Sequence, residues 1–210
     1  MTERGRSRLV TALTFSRVPL IFAWLVFALA QEYRGGLALA LGACLMMLLS
    51  GLTDAFDGHL ARKWNVVSTM GKMADPLMDK VFYLVAFPAL VWQIAHQGES
   101  EGHALAMLLF TILYMLRDTW VTFIRSVGAM YGADVAAMWL GKVRTALSFP
   151  GAGWVYMYCC FHRMCPSSWN RPWLWSCLAV EALLIALTLW SLVTYTRVYL
   201  PYLKKALERK

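Results

Sequence analysis

At 210 residues, 60% of them hydrophobic and only 15% charged, with a mean hydropathy of +0.53, the chain is too apolar for a water-soluble domain, which sits nearer half apolar and a quarter charged. Its length holds about six helical spans of roughly 20 residues with short connections, so residues 1–210 read as one all-α integral membrane domain. The formal charge of +8 does not point to nucleic acid, because the basic residues are scattered through an apolar matrix; anionic headgroups of the bilayer and phosphorylated substrates suit it better.

The first predicted element is the basic stretch Arg4 to Arg17. Leu9 to Arg17 reads as a short amphipathic helix on the membrane surface, with Arg17 reaching the headgroups. Together with the apolar run that follows, this stretch imitates a secretory signal peptide. The long basic region and five further apolar segments favour an uncleaved signal anchor. Six apolar stretches then follow: Val18 to Ala30, Gly35 to Thr53, Val81 to Ala95, His103 to Leu116, Thr145 to Phe161 and Trp173 to Thr196. Several are shorter than a span requires, so their helices must continue into polar sequence. Tyr33-Arg34-Gly35-Gly36 and Cys165 to Pro172 read as outer turns.

Lys and Arg placement orients the chain. One face collects Arg4, Arg6, Arg8, Arg62, Lys63, Lys72, Lys80, Lys142, Arg144, Lys204, Lys205, Arg209 and Lys210, and the other only Arg34, Arg163 and Arg171. The richer face is expected in the cytoplasm, with both termini, in a multi-pass protein of the cell (inner or cytoplasmic) membrane. Trp169, Trp173 and Trp175 read as interfacial anchors at the opposite boundary. Five cysteines without C-x-x-C spacing imply neither zinc nor a disulfide framework. His59, His96, His103 and His162 read as isolated, solvated or boundary residues. Glu181, deep within the last apolar stretch, has no evident partner.

The informative segment joins the second and third apolar stretches. Asp54 and Asp57 are three apart, and Asp75 and Asp79 four apart, so each pair shares a helical face. A turn around Arg62 to Gly71 brings the two helices together antiparallel, converging four carboxylates near one membrane boundary. Four like charges there need compensation. Hard oxygen ligands suit Mg²⁺, Mn²⁺ or Ca²⁺ and not zinc, and two divalent ions about 4 Å apart form the usual clamp for phosphoryl displacement. Gly58 and Gly71 let a diphosphate approach the backbone. Arg62 either neutralises a phosphate or pairs with an aspartate.

These residues spell Asp54-x2-Asp57-Gly58-x2-Ala61-Arg62-x8-Gly71-x3-Asp75-x3-Asp79, which resembles the signature of the CDP-alcohol phosphotransferase family at every fixed position. The resemblance implies a fold of six transmembrane helices, usually dimeric, with the site open to the cytoplasm. It implies metal and CDP-diphosphate binding by Asp54, Asp57 and Asp75, with Gly58, Ala61, Arg62, Thr69 and Gly71 lining the donor site. It further implies that Asp79 is the base and shares a metal.

Downstream lies a second polar set, Arg117-Asp118, Arg125 and Gly141-Lys142-Val143-Arg144-Thr145. Arg117 and Arg125 are eight apart, on nearly one helical face, and with Lys142 they suit an anion. The set resembles that of the family branch that makes phosphatidylglycerophosphate, with Asp118 in place of a Glu and Arg144 in place of a Lys. Thr14-x2-Arg17 echoes the same branch, with Thr11 where an Asn is common. Segment 117–145 is therefore expected to hold the acceptor phosphate through Arg117, Arg125, Lys142 and Arg144. The implied partners are CDP-diacylglycerol, sn-glycerol 3-phosphate and two Mg²⁺ or Mn²⁺ ions. Inositol phosphate, serine or choline as acceptor, CDP-choline as donor to diacylglycerol, and a membrane cation transporter are the competing readings.

Overall fold

The computed structural model describes residues 2–66, 69–98, 100–133 and 138–208; within these, the side chains of 3, 4, 69–73, 75, 76, 140, 163 and 167 are outside the description. Six α-helices account for nearly all of it: α1 Glu3–Arg34, α2 Leu37–Trp64, α3 Thr69–Gln97, α4 Glu101–Met130, α5 Trp139–Phe161 and α6 Ser167–Glu208. Five are long and apolar enough to cross a membrane. The remaining one, α5, has 23 residues and carries Lys142 and Arg144 in its first turns. The chain is thus a multi-pass all-α membrane protein. It divides into two compact units, Met1–Gln93 and Ile94–Lys210.

In the first unit, α1 begins where Thr2 caps it by accepting from the Gly5 N–H at 3.3 Å. It runs 32 residues, about 48 Å at 1.5 Å per residue, well beyond a hydrocarbon core of about 30 Å. The expected surface helix over Leu9 to Arg17 is therefore continuous with the first span. Val10, Thr14, Arg17, Ile21, Trp24 and Ala28 are all buried. Their alternating four–three spacing is the 3.5-residue period of a helix-pairing seam, and it pulls Arg17 inward with the rest. Opposite them α2 buries Ala40, Ala43, Met47, Ser50 and Asp57. Small residues let the two helices approach closely, as lipid-embedded helices require. On the other face of α2, Leu37, Leu41, Leu45, Leu48 and Leu52 are exposed, as lipid contact allows. The connection is made by Gly35 and Gly36 at φ 67° and 106°, values only glycine adopts without strain. Asn65 at φ 52° closes α2, and Arg62 and Lys63 in its last turn complement the helix dipole. The following turn is shorter than Arg62 to Gly71, since α2 continues to Trp64 and α3 starts at Thr69.

In the second unit, Ser100 caps α4 by accepting from the His103 N–H at 3.2 Å. The buried residues His103, Met107, Phe110, Tyr114, Arg117, Val121, Ile124 and Gly128 repeat the 3.5-residue spacing. Contacts from His103 to Glu181, Arg117 to Ser191 and Trp120 to Thr196 advance together, so α4 and α6 run parallel. Met138 to Tyr195 and Trp154 to Ser176 advance oppositely, so α5 is antiparallel to α6. Cys165 and Pro166 alone form the turn expected over Cys165 to Pro172, because α6 already begins at Ser167 and takes Pro172 inside it.

Two histidine expectations are corrected. His103 and His162 are each 1% exposed, drawn in by partners: His103 Nε2 lies 2.9 Å from Glu181 Oε1, and His162 Nδ1 lies 2.8 Å from the Tyr158 carbonyl. The first contact also supplies the partner that Glu181 lacked in the sequence.

Candidate active site

The acidic segment closes on a residue from the other side of the seam. Arg17 Nη1 lies 2.7 Å from Asp54 Oδ1 and 3.3 Å from Asp79 Oδ1, and its Nη2 lies 2.7 Å from Asp57 Oδ2. The same Asp57 oxygen accepts from the Thr14 hydroxyl at 2.8 Å. Thus α1 contributes one cation and one hydroxyl, α2 two carboxylates and α3 one. Helical spacing explains the convergence: Thr14 and Arg17 are three apart on the buried face of α1, as Asp54 and Asp57 are on α2. The structure turns Arg17 inward onto these acids and not outward to the headgroups, because the seam spacing of its neighbours decides the orientation.

The cluster has a buried floor and an open mouth. The side chains of Arg17 and Asp57 are each 4% exposed, whereas Asp54 is 57% and Asp79 42% exposed. At Gly58, an added Cβ would meet nothing nearer than Arg62 Nη2 at 3.9 Å, which leaves room for a ligand close to the backbone. Arg62 itself is exposed and Ala61 half-buried. Thr69, Gly71 and Asp75 fall in the first turns of α3, and their side chains lie outside the described residues.

The donor set is all carboxylate oxygen, the chemistry a hard divalent cation takes. Among the described residues no three His, Cys, Asp or Glu side chains are drawn together at ligand distance; Asp54, Asp57 and Asp79 instead surround a guanidinium. A cation already sits among these oxygens, so the residues fit a cation-binding role, with Asp75 as the further candidate ligand.

In the second unit two arginines share one acid. Arg144 Nη2 lies 3.5 Å and Arg117 Nη1 3.7 Å from Asp118 Oδ1. Arg117 donates to Ser191 Oγ and lies over the Tyr195 ring at 5.0 Å. Arg144 lies over Tyr114 at 3.8 Å. Both are almost wholly buried, at 4% and 2% exposure. Among the described residues Arg117 Nε and Arg144 Nε and Nη1 have no hydrogen-bond partner. Two buried cations against one partly exposed acid leave local positive charge and unused donors, a combination that favours an anion. Lys142 is exposed on the first turn of α5, and Arg125 is half-buried two turns beyond Arg117.

Tyr195, which the sequence did not single out, organises this cluster. Its hydroxyl accepts from the Met138 N–H at 2.7 Å, at the start of the helix that carries Lys142 and Arg144. A Cβ on Gly141 would stand 3.0 Å from that hydroxyl and 3.4 Å from Arg117 Nη2, so glycine permits the close approach. Only the tyrosine's place in the regularly spaced buried series Glu181, Leu184, Thr188, Ser191, Tyr195 and Tyr199 of α6 could have signalled this.

A multi-pass helical membrane protein with one gathered acidic cluster and one buried cationic cluster is the class these features define. Residues 8–194 match the CDP-alcohol phosphatidyltransferase family, and the chain belongs to that family. It is a phosphotransferase in a family whose members generally depend on divalent metal. Over 189 residues, 88% of this chain and 91% of the relative, it is 32% identical to the CDP-diacylglycerol–glycerol-3-phosphate 3-phosphatidyltransferase of Escherichia coli K12. The proteins of the same description from Shigella sonnei and Shigella flexneri are 32% and 31% identical over the same shares.

Proposed function

We propose that this chain transfers the phosphatidyl group of CDP-diacylglycerol to sn-glycerol 3-phosphate, giving phosphatidylglycerophosphate and CMP. The observation that carries the reading is the gathering of Asp54, Asp57 and Asp79 from two helices around one cation, within a chain similar over most of its length to transferases of that description. Asp54, Asp57, Asp75 and Asp79 would hold two Mg²⁺ or Mn²⁺ ions, which supply charge neutralisation for the diphosphate.

The chain's own residues do the rest. Asp79, exposed enough to reach a substrate, accepts the proton of the acceptor's 1-hydroxyl. The hydroxyl oxygen forms a bond to the β-phosphorus, and the bond from that phosphorus to the CMP oxygen breaks. Arg62 faces the departing CMP phosphate, while Gly58, Ala61, Thr69 and Gly71 line the nucleotide path. The acceptor phosphate falls to Arg117, Arg125, Lys142 and Arg144; the surplus charge, and the unused donors of Arg117 and Arg144, suit a dianion. The same reading places both termini and the site on the cytoplasmic side of the membrane, in a homodimer.

The test is CMP release from CDP-diacylglycerol by purified protein with Mg²⁺ or Mn²⁺, offering glycerol 3-phosphate, inositol phosphate, serine and choline separately. Release with glycerol 3-phosphate alone is expected. Release with another alcohol would keep the aspartate chemistry and remove the acceptor assignment.

A further inference from the structure

Arg17 divides its two guanidinium arms between different environments. Nη2 is bound 2.7 Å from Asp57 Oδ2, in the buried floor where the Thr14 hydroxyl holds the same oxygen. Nη1 reaches outward to Asp54 at 2.7 Å and Asp79 at 3.3 Å, two carboxylates that are about half exposed and sit on different helices. Three carboxylates and one guanidinium leave a formal charge of −2, the complement of one divalent cation. The inner arm has two reasons to stay: burial at 4% of both side chains, and a second donor on its acceptor. An unpaired Asp57 in that position would be costly. The outer arm lacks that burial: its acceptors are 57% and 42% exposed, and such exposed pairs are individually weak.

From this division, and resting on the metal-binding reading of the aspartates given above, we propose that Arg17 is a built-in counter-cation of the carboxylate cluster. Its inner arm fixes Asp57 permanently. Its outer arm bridges Asp54 and Asp79 until a divalent cation binds, and then yields them. Arg17 is a positioning residue in this scheme, orienting one ligand and setting the affinity of the site through competition. Without it, the cluster would repel itself when empty, and stability would come to depend on metal.

The experiment measures Mn²⁺ alone, with no substrate, by the loss of the free-ion electron paramagnetic resonance signal on titration into purified full-length protein. Thermal unfolding with chelator and with Mn²⁺ is recorded alongside. Arg17→Gln is expected to bind Mn²⁺ at least about tenfold more tightly, which is about 1.4 kcal/mol, to unfold at lower temperature in chelator, and to recover most of that loss in Mn²⁺. Arg17→Lys keeps a charge on the inner carboxylate with less reach to the outer ones, and is expected to lie between the two. Equal Mn²⁺ affinity in all three proteins, or an equal loss of stability with and without Mn²⁺, would overturn the inference by reducing Arg17 to a structural ion pair. If Arg17→Gln fails to fold in either condition, Arg17→Lys decides: Mn²⁺ binding no tighter than in the unsubstituted chain overturns the inference. Absence of Mn²⁺ binding in the unsubstituted chain, compared with Asp57→Asn as the control, would instead remove the metal-binding reading, and the inference with it.

Discussion

The buried pair His103–Glu181 offers a measurement whose size can be worked out beforehand. The two side chains are 1% and 2% exposed, their atoms are 2.9 Å apart, and Glu181 Oε2 has no hydrogen-bond partner among the described residues. Tyr158 packs against the His103 ring at 5.6 Å, and Cys177, one turn before Glu181, is fully buried, so water has little access to an orphaned group. Replacing His103 by Leu leaves a carboxyl group with neither oxygen bonded. Removing one partner of such a buried pair costs about 3–5 kcal/mol, whereas replacing both by apolar residues of similar volume is close to neutral. A simple interhelical hydrogen bond in a membrane protein is worth only about 0.6 kcal/mol on average. The larger figure should win here, because Glu181 already has an oxygen without a partner and would lose its remaining bond. At about 2–4 °C per kcal/mol for a chain of this size, His103→Leu and Glu181→Leu should each lower the unfolding temperature by about 6–20 °C. The double variant should fall within about 3 °C of the unsubstituted protein. Thermal unfolding of the four proteins in one detergent completes the cycle. Losses that simply add in the double variant would refute the reasoning, as would single losses below about 2 °C.

Asp79→Asn keeps a side chain of the same shape and is expected to retain CDP-diacylglycerol binding while losing turnover by about 10³-fold or more; measured CMP release near normal would remove it as the base. Gly141→Ala pushes a methyl group against Tyr195 Oη and Arg117 Nη2, so the KM for glycerol 3-phosphate should rise about tenfold with little change in that for the lipid donor, checked by steady-state kinetics in mixed micelles. Tyr195→Phe leaves the ring over Arg117 and removes only the bond to the Met138 N–H. It should cost about 1 kcal/mol in stability, seen as a small drop in unfolding temperature. Arg125→Ala should raise the acceptor KM well above any change for the donor, and equal effects on both would detach Arg125 from the acceptor.

How much was legible depended on whether a residue's neighbours in sequence carried the signal. Asp54, Asp57 and Asp79 were legible because three- and four-residue spacing in a helix places them on shared faces whatever else happens. The helix count followed from apolar stretches separated at Tyr33 to Gly36, Arg62 to Gly71 and Cys165 to Pro172. Arg17 turns inward because Val10, Thr14, Ile21 and Trp24 form a 3.5-residue seam through it, a period that the basic flank Arg4 to Arg8 masks by resembling a surface helix. The His103–Glu181 pair was not legible at all. Its members are 78 positions apart, and nothing local says that the start of α4 lies beside the first half of an apolar stretch in α6. The same holds for Tyr195, whose importance arises from a parallel helix, an antiparallel one and the missing side chain of Gly141.

One physical rule runs through both clusters. An apolar solvent penalises uncompensated charge, yet a phosphotransferase must present carboxylates to cations and cations to phosphates. Each cluster therefore carries a minority residue of the opposite sign: Arg17 among Asp54, Asp57 and Asp79, and Asp118 between Arg117 and Arg144. In neither case is compensation complete, which leaves a residual charge of the sign a ligand needs. The distances differ in an informative way. Arg17 makes two contacts of 2.7 Å, while Asp118 stands 3.5 and 3.7 Å from its arginines. The acidic cluster is the more tightly compensated, so its ligand must displace an existing contact, whereas an anion at the cationic cluster can add to donors that are unused. Removing the minority residue should accordingly tighten cation binding at the first cluster. At the second, Asp118→Asn should alter acceptor affinity much less.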